Sequence, residues 1–267
     1  MGRKYQRSRS MHNGKGIRPD MVLFGIGIIL FTVYGILQYR NCKDQENYER
    51  TIVKLENLKE YQQETTVMPE QEERTQSPYQ SLFDANEDMV GWLYIPETVI
   101  GYPVMQTMED EEYYLYRNFF GEKDRNGTLI LDTDSDIHKT SNNLIIHGHN
   151  MKSGAMFSAL FDYEEESFLE QHNKIYFYTE EEMREYEVLA VFRSKVYSAE
   201  DEVFKYYKFF EAKSQEEFDD FYDNIRKLSE YDTGVTAQFG DEFITLSTCA
   251  YHTANGRLVV VGRRVTE

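Results

Sequence analysis

One run near the start of the chain constrains everything after it. Met21-Val-Leu-Phe-Gly-Ile-Gly-Ile-Ile-Leu-Phe-Thr-Val-Tyr-Gly-Ile-Leu37 is 17 residues long and carries no charge. Gln38 and Tyr39 extend it. A helix crossing a bilayer needs about 17–25 such residues. A cleaved secretory leader would have a shorter apolar core and then a small-x-small cleavage site. Here Gln38-Tyr-Arg-Asn-Cys42 follows instead, so an uncleaved anchor is expected. Six Lys/Arg precede the run and Arg40 follows it. The bias toward cytoplasmic cations puts the N-terminus inside and the remainder of the chain outside the cell. The chain thus reads as a cytoplasmic basic segment (1–20), a transmembrane anchor (21–39), a juxtamembrane helix and linker (40–78), and a folded body (79–267).

Charge is divided as unevenly as hydropathy. Residues 1–40 hold seven Lys/Arg and one acid, Asp20; the rest holds 22 basic and 46 acidic side chains. A body so acidic is a poor ligand for a phosphate backbone, and nucleic acid is excluded as a partner. Two cysteines, Cys42 and Cys249, lie far apart and do not make a disulfide scaffold. Cys42 lies just past the apolar run and is read as idle.

Between residues 41 and 62, Tyr48, Ile52, Leu55 and Leu58 recur at helical spacing. They fit either a stalk or a helix packed on the body. Thr65 to Pro78 is polar, holds two prolines and lacks periodicity, so it reads as a linker. The body then offers about eight short β-like runs: 91–95, 100–105, 128–131, 143–146, 174–178, 186–192, 243–249 and 257–261. Short strands separated by turns predict a mainly β fold, a sandwich or a closed barrel. Helical insertions are expected at 80–86, 155–163 and 214–228. In the last, Ser214 caps, Glu216 and Glu217 fill the first turn, and Phe218, Phe221, Tyr222 and Ile225 form an apolar stripe suited to core packing.

Two stretches carry chemistry. Phe243-Ile-Thr-Leu-Ser-Thr-Cys249 reads as a buried strand ending on a cysteine. After a polar loop, Arg257-Leu-Val-Val-Val261 follows. Paired as a hairpin, the two runs oppose Cys249 and Arg257, with side chains about 5 Å apart. A cation beside a thiol favours the nucleophilic thiolate. The second stretch is Ile145-Ile-His-Gly-His-Asn-Met151. A metal held by His147 and His149 lacks a third ligand nearby: His138 is nine residues upstream in a polar loop, and neither Cys-x-x-Cys nor His-Glu-x-x-His occurs. No metal or cofactor is expected. The preferred reading couples a histidine to the cysteine, because imidazole can move the protons that thiol attack on an amide requires. His12 falls in the cytoplasmic segment and His172 in a polar helix-like stretch; His252, in the loop after Cys249, is a second choice.

The order is His149, Cys249, Arg257, at separations of 100 and 8 residues. It fits neither papain-like nor caspase signatures. Thr245-Leu-Ser-Thr-Cys249 resembles the TLxTC box of the sortases, the membrane-anchored transpeptidases of Gram-positive bacteria. Gly148-His149-Asn150 resembles their histidine box, and Arg257-Leu-Val-Val their arginine strand. Val90-Gly-Trp-Leu-Tyr-Ile-Pro96, Gly101-Tyr-Pro-Val104 and the placement of helix 214–228 resemble class B. The resemblance implies a closed eight-stranded β-barrel over 79–267 and a catalytic trio of His149, Cys249 and Arg257. It also implies a supporting role for Ser247 and Thr248 in lining the substrate groove. The implied reaction cleaves a C-terminal sorting motif after threonine, forms a thioester with Cys249, and passes the protein to a peptidoglycan precursor amine in the cell wall. Sorting-signal-bearing surface proteins are the implied partners. Class A members often bind calcium through acidic loops, but the run Glu109–Glu112 reads as a solvated face. Two alternatives remain at this level: a hydrolase that releases sorted proteins, and a non-catalytic membrane-tethered binding domain.

Overall fold

The computed structural model describes residues 19–65, 77–138 and 143–266. The basic segment 1–18 and most of the expected linker before Pro78 lie outside the described residues. The chain divides into two compact units, Met1–Lys43 and Asp44–Glu267.

Helix α1 (Pro19–Thr65) supplies the described part of the first unit. Before Asp44 its leucines, isoleucines and phenylalanines face outward; Leu23 is 69% and Phe31 77% exposed. A helix apolar all round and covered by no protein suits a lipid environment. A stretch within Leu23–Lys59 is long and apolar enough to cross a membrane.

From Asp44 onward, α1 belongs to the second unit, and here its sequence turns amphipathic. Leu55 is buried, and Ile52 and Leu58 pack with it against Leu82, Phe83, Trp92 and Phe119. The Tyr48 hydroxyl meets that of Tyr102 at 2.9 Å. Lys59 places its ammonium 3.6 Å from the centre of the Trp92 ring, and burial pulls its pKa down to about 8. The segment is therefore a helix packed on the body rather than a free stalk.

The body is a barrel. Its strands are β1 (Met89–Tyr94), β2 (Gly101–Met105), β3 (Leu129–Leu131), β4 (Asn143–Gly148), β5 (Lys174–Tyr178), β6 (Met183–Lys195), β7 (Phe243–Cys249) and β8 (Gly256–Arg264). They close in the order β1-β2-β3-β4-β7-β8-β6-β5, with β5 returning to β1. The pairs β2–β3 and β4–β7 are parallel, and the others antiparallel. All eight expected runs are strands, and closure removes open edges. The main difference is length: β6 runs for 13 residues, well past the apolar stretch at 186–192.

Strand alternation sorts the side chains. Leu144 and Ile146 of β4, Ile244 and Leu246 of β7, and Leu258 and Val260 of β8 fill the interior. Phe243, Val259 and Val261 point outward, where helix α4 (Gln215–Leu228), which follows the short helices α2 (Gln80–Ala85) and α3 (Glu166–Leu169) along the chain, covers them with Phe218, Phe221 and Ile225. The Ser214 hydroxyl accepts the Glu217 N–H at 3.2 Å, so α4 starts where its cap predicts. The expected helix at 155–163 is a 3-10 helix, Phe157–Glu164, instead. Its buried residues Phe157, Leu160 and Tyr163 are three apart, the period a 3-10 helix superimposes on one side.

Candidate active site

The same alternation brings the predicted residues together. Cys249 shares the outward parity of Phe243, Arg257 that of Val259 and Val261. β7 lies between β4 and β8. In register, Gly148 pairs with Thr248 and Cys249 with Arg257. One step past the Gly148–Thr248 pair, His149 follows the end of β4 alongside Cys249 at the end of β7. Adjacent strands are about 4.8 Å apart, so the register sets the Cys249 backbone between those of His149 and Arg257. His149, Cys249 and Arg257 all line one cleft of about 550 Å³, and so do Ser247 and Thr248.

The two strand ends are tied directly. Thr248 donates its hydroxyl to the Gly148 carbonyl at 2.8 Å, and Asn150 donates its amide to the Cys249 carbonyl at 3.1 Å. Gly148 is required by packing: a Cβ there would lie 2.5 Å from Leu129 Cδ2 and 2.7 Å from the Phe157 ring. That explains a glycine between two outward histidines.

Arg257 turns one guanidinium nitrogen back onto its own loop, donating to the carbonyls of Gly256 at 3.0 Å and Asn255 at 3.4 Å. Asn255 has φ 57°, a left-handed conformation that asparagine tolerates well. Tying Nη1 leaves the other N–H groups of the fork for a ligand.

His149 is half-buried and donates its Nε2–H to the Leu115 carbonyl at 2.9 Å. Burial lowers its pKa, and the carbonyl, which favours the charged ring, works against that. The Tyr116 ring lies 5.3 Å away, tilted by 50°. His147 has a separate partner, Asp132, at 3.3 Å. With Glu111 these two bring ligand atoms within 4.8 Å of one another, the one such mixed group found among the described residues. Burial and then the Asp132 carboxylate raise the pKa of Glu111. His252, the second choice, is exposed and is not among the residues lining the cleft.

Ser247 and Thr248 line the cleft with their hydroxyls engaged. The Ser247 hydroxyl meets that of Tyr206 at 2.8 Å. Tyr206 is fully buried, and its pKa is pushed up to about 12, chiefly by desolvation. Tyr206, the Leu115 carbonyl and Asp132 have no sequence signal. Each reaches the site from a connecting segment: Tyr206 from the link between β6 and α4, whose Phe209 and Phe210 carbonyls accept from Asn143.

A closed eight-stranded barrel that brings a cysteine, a histidine and an arginine to one cleft is an arrangement suited to cysteine acyl transfer. Comparison with known proteins makes the class specific. Residues 93–265 match the sortase domain model. Sortase B of Listeria monocytogenes is 35% identical over 184 residues, covering 68% of this chain and 72% of that protein. The crystal structure of sortase B from Bacillus anthracis in complex with AAEK1 superposes with a TM-score of 0.68 at 31% identity, covering 84% of this chain and 99% of that one. The Staphylococcus aureus sortase B–substrate complex gives 0.68 at 25% identity, covering 82% and 97%. The chain belongs to the sortase family, as a class B sortase. It is a cysteine transpeptidase of a family that acts on proteins bearing sorting signals.

Proposed function

We propose that Cys249 is the nucleophile, His149 the proton carrier and Arg257 the oxyanion-side donor of this transpeptidase. The observation that supports this most is the strand register: Cys249 opposes Arg257 across β7–β8, and His149 directly follows the last residue of β4, the strand on the other side of β7. Thiolate Cys249 attacks the peptide carbonyl that follows threonine in a sorting motif. Arg257 donates hydrogen bonds to the carbonyl oxygen as negative charge builds on it, a preorganised stabilisation of the tetrahedral intermediate. His149 protonates the leaving amine, and a thioester remains on Cys249. A cell-wall precursor amine then attacks the thioester and inherits the sorted protein. Ser247 and Thr248 form part of the groove floor that the peptide crosses. The substrate complex of the S. aureus relative supports a substrate bound on this fold.

The apolar start of α1 anchors the chain, with the N-terminus cytoplasmic and the barrel outside. The basic residues before the span support that orientation. Both substrates are then held at the membrane face where the enzyme is tethered.

Mass spectrometry of the detergent-solubilised chain with a labelled sorting peptide tests the assignment. Cys249 should gain the acyl fragment, and an added amine should discharge it to a new peptide bond. Acyl-enzyme persisting in Cys249→Ala would reject the nucleophile. Discharge to water alone, whatever the amine concentration, would make the protein a releasing hydrolase.

A further inference from the structure

We infer that His149 exchanges its catalytic proton through Nδ1, while Nε2–H stays locked on the Leu115 carbonyl, for which Gly127 makes room. The inference rests on the proton-carrying role proposed above and adds the nitrogen that performs it and the residues that orient it. His149 Nε2 lies 2.9 Å from the Leu115 carbonyl oxygen. A carbonyl oxygen only accepts, so Nε2 bears a hydrogen whether the ring is neutral or cationic. Nδ1 is then the nitrogen whose proton comes and goes.

The carbonyl is held by a compact backbone knot. Leu115 sits in a 3-10 helix, Tyr113–Tyr116, and donates its N–H to the Glu112 carbonyl at 3.0 Å. The segment 124–128 grips that turn from outside. Asp124 N–H reaches the Tyr116 carbonyl at 3.1 Å, Thr128 N–H the Tyr114 carbonyl at 2.9 Å, and the Thr128 hydroxyl the Arg117 carbonyl at 2.8 Å. Gly127 lies against Leu115 with φ 62°. A Cβ at this position would stand 2.1 Å from the Leu115 oxygen and 2.7 Å from its carbonyl carbon. Both atoms are backbone, so any side chain here must push the acceptor away from His149. Gly127 and Leu115 are therefore positioning residues that act through the imidazole.

The proton balance closes. In acylation the Nδ1–H bond breaks as an N–H bond forms on the departing nitrogen and the substrate C–N bond cleaves. His149 is left neutral, with its remaining hydrogen on Nε2. In deacylation the incoming amine forms the new C–N bond, its surplus proton passes to Nδ1, and the Cys249 thiolate departs.

The tautomer can be read directly from the full-length chain with ¹⁵N-labelled histidine, in detergent, by long-range ¹H–¹⁵N correlation. The His149 signals are assigned as those missing from His149→Gln. In the neutral ring, Nε2 should carry the hydrogen, and acidification should move the Nδ1 shift far more than that of Nε2. A neutral ring protonated on Nδ1 would overturn the inference. Gly127→Ala supplies the second arm. A folded variant should show mixed tautomers and an acylation rate lower by about 10²-fold, the scale expected for a misplaced catalytic group. A folded variant with the wild-type tautomer and rate would remove Gly127 from the account. Should it not fold, the wild-type spectrum alone decides. If His149→Gln keeps the full acylation rate, the proton-carrying role fails, whereas the tautomer assignment stands or falls on the spectrum.

Discussion

The two flanks of Cys249 are built differently. On one side, Arg257 faces it across an antiparallel hairpin whose loop is short, and the outer face of β7–β8 is sealed by α4 with a cluster of phenylalanines. On the other side, His149 sits just past the end of β4 and is held by a backbone carbonyl from a 3-10 helix that lies 34 residues away in sequence. The guanidinium is placed by local pairing and a hydrophobic lid. The imidazole is placed by hydrogen bonds gathered from distant segments. In the roles proposed for them, the charge of Arg257 can tolerate some angular freedom, whereas His149 as a proton donor must present one nitrogen at one angle. The greater structural effort spent on the histidine side fits that difference in demand.

Mutations can break this comparison at either flank. The largest stability effect should come from Phe221→Ala, which empties a site where Phe221 stacks on Phe209 at 3.9 Å between ring centres. Unfolding free energy should drop by about 3–5 kcal/mol in denaturant titration. Once folded at low temperature, the variant should still acylate, because α4 supports the hairpin without touching substrate. Arg257→Ala should lower the acylation rate by about 10²–10³-fold, the range for loss of a single oxyanion donor, with stability nearly unchanged. A full rate in stopped-flow assays would remove the oxyanion role. Gly148→Ala attacks the histidine flank. Its methyl must displace Leu129 or Phe157, so a loss of about 1–3 kcal/mol is expected from overpacking, with a fall in rate as His149 moves. Asn150→Ala removes the tie to the Cys249 carbonyl. About 1 kcal/mol should be lost in thermal unfolding, and kcat should fall more than KM rises. The smallest effect is pH-dependent. Burial lowers the folded-state pKa of His149 below its unfolded value. The unfolded chain thus takes up its proton first as pH falls, and the native state loses stability below about pH 6.5. His149→Gln should blunt this acid loss in pH-dependent denaturation curves; an unchanged slope would show that the ring is not desolvated.

How much of this was legible beforehand follows the same division. The eight strands could be read because their apolar runs are bounded by turn residues, and the Cys249–Arg257 pairing because a hairpin fixes register within a few residues. His149 was identifiable as a candidate from its type and strand-end position, but what orients it was not. The Leu115 carbonyl belongs to every residue alike and leaves no mark in a sequence. Gly127 carries a mark, yet a lone glycine in a turn-rich stretch says nothing of which carbonyl it clears. Tyr206 was likewise hidden, since its loop crosses the barrel's outer face through tertiary contacts with Asn143. The 3-10 form of Phe157–Glu164 was missed because an i, i+3 repeat fits either helix type over so short a span. The change of α1 from an apolar part to an amphipathic part was legible, because hydropathy and periodicity change together near Cys42, but whether the amphipathic part packs on the body or stands as a stalk was not, since its partners Leu82, Trp92 and Phe119 are fixed only by tertiary contact.

The central proposal is that one thiol is served at once by a guanidinium on the adjacent strand β8 and an imidazole just past the end of the adjacent strand β4. Its most direct test is a crystal structure of the protein inactivated by a sorting-motif peptide bearing a thiol-reactive carbonyl. The account predicts a covalent bond to Cys249 Sγ, the Arg257 guanidinium donating to the trapped carbonyl oxygen, and His149 Nδ1 facing the position of the departed amine. A bond to Cys42, or an adduct on Cys249 with Arg257 and His149 both turned away from it, would contradict the claim.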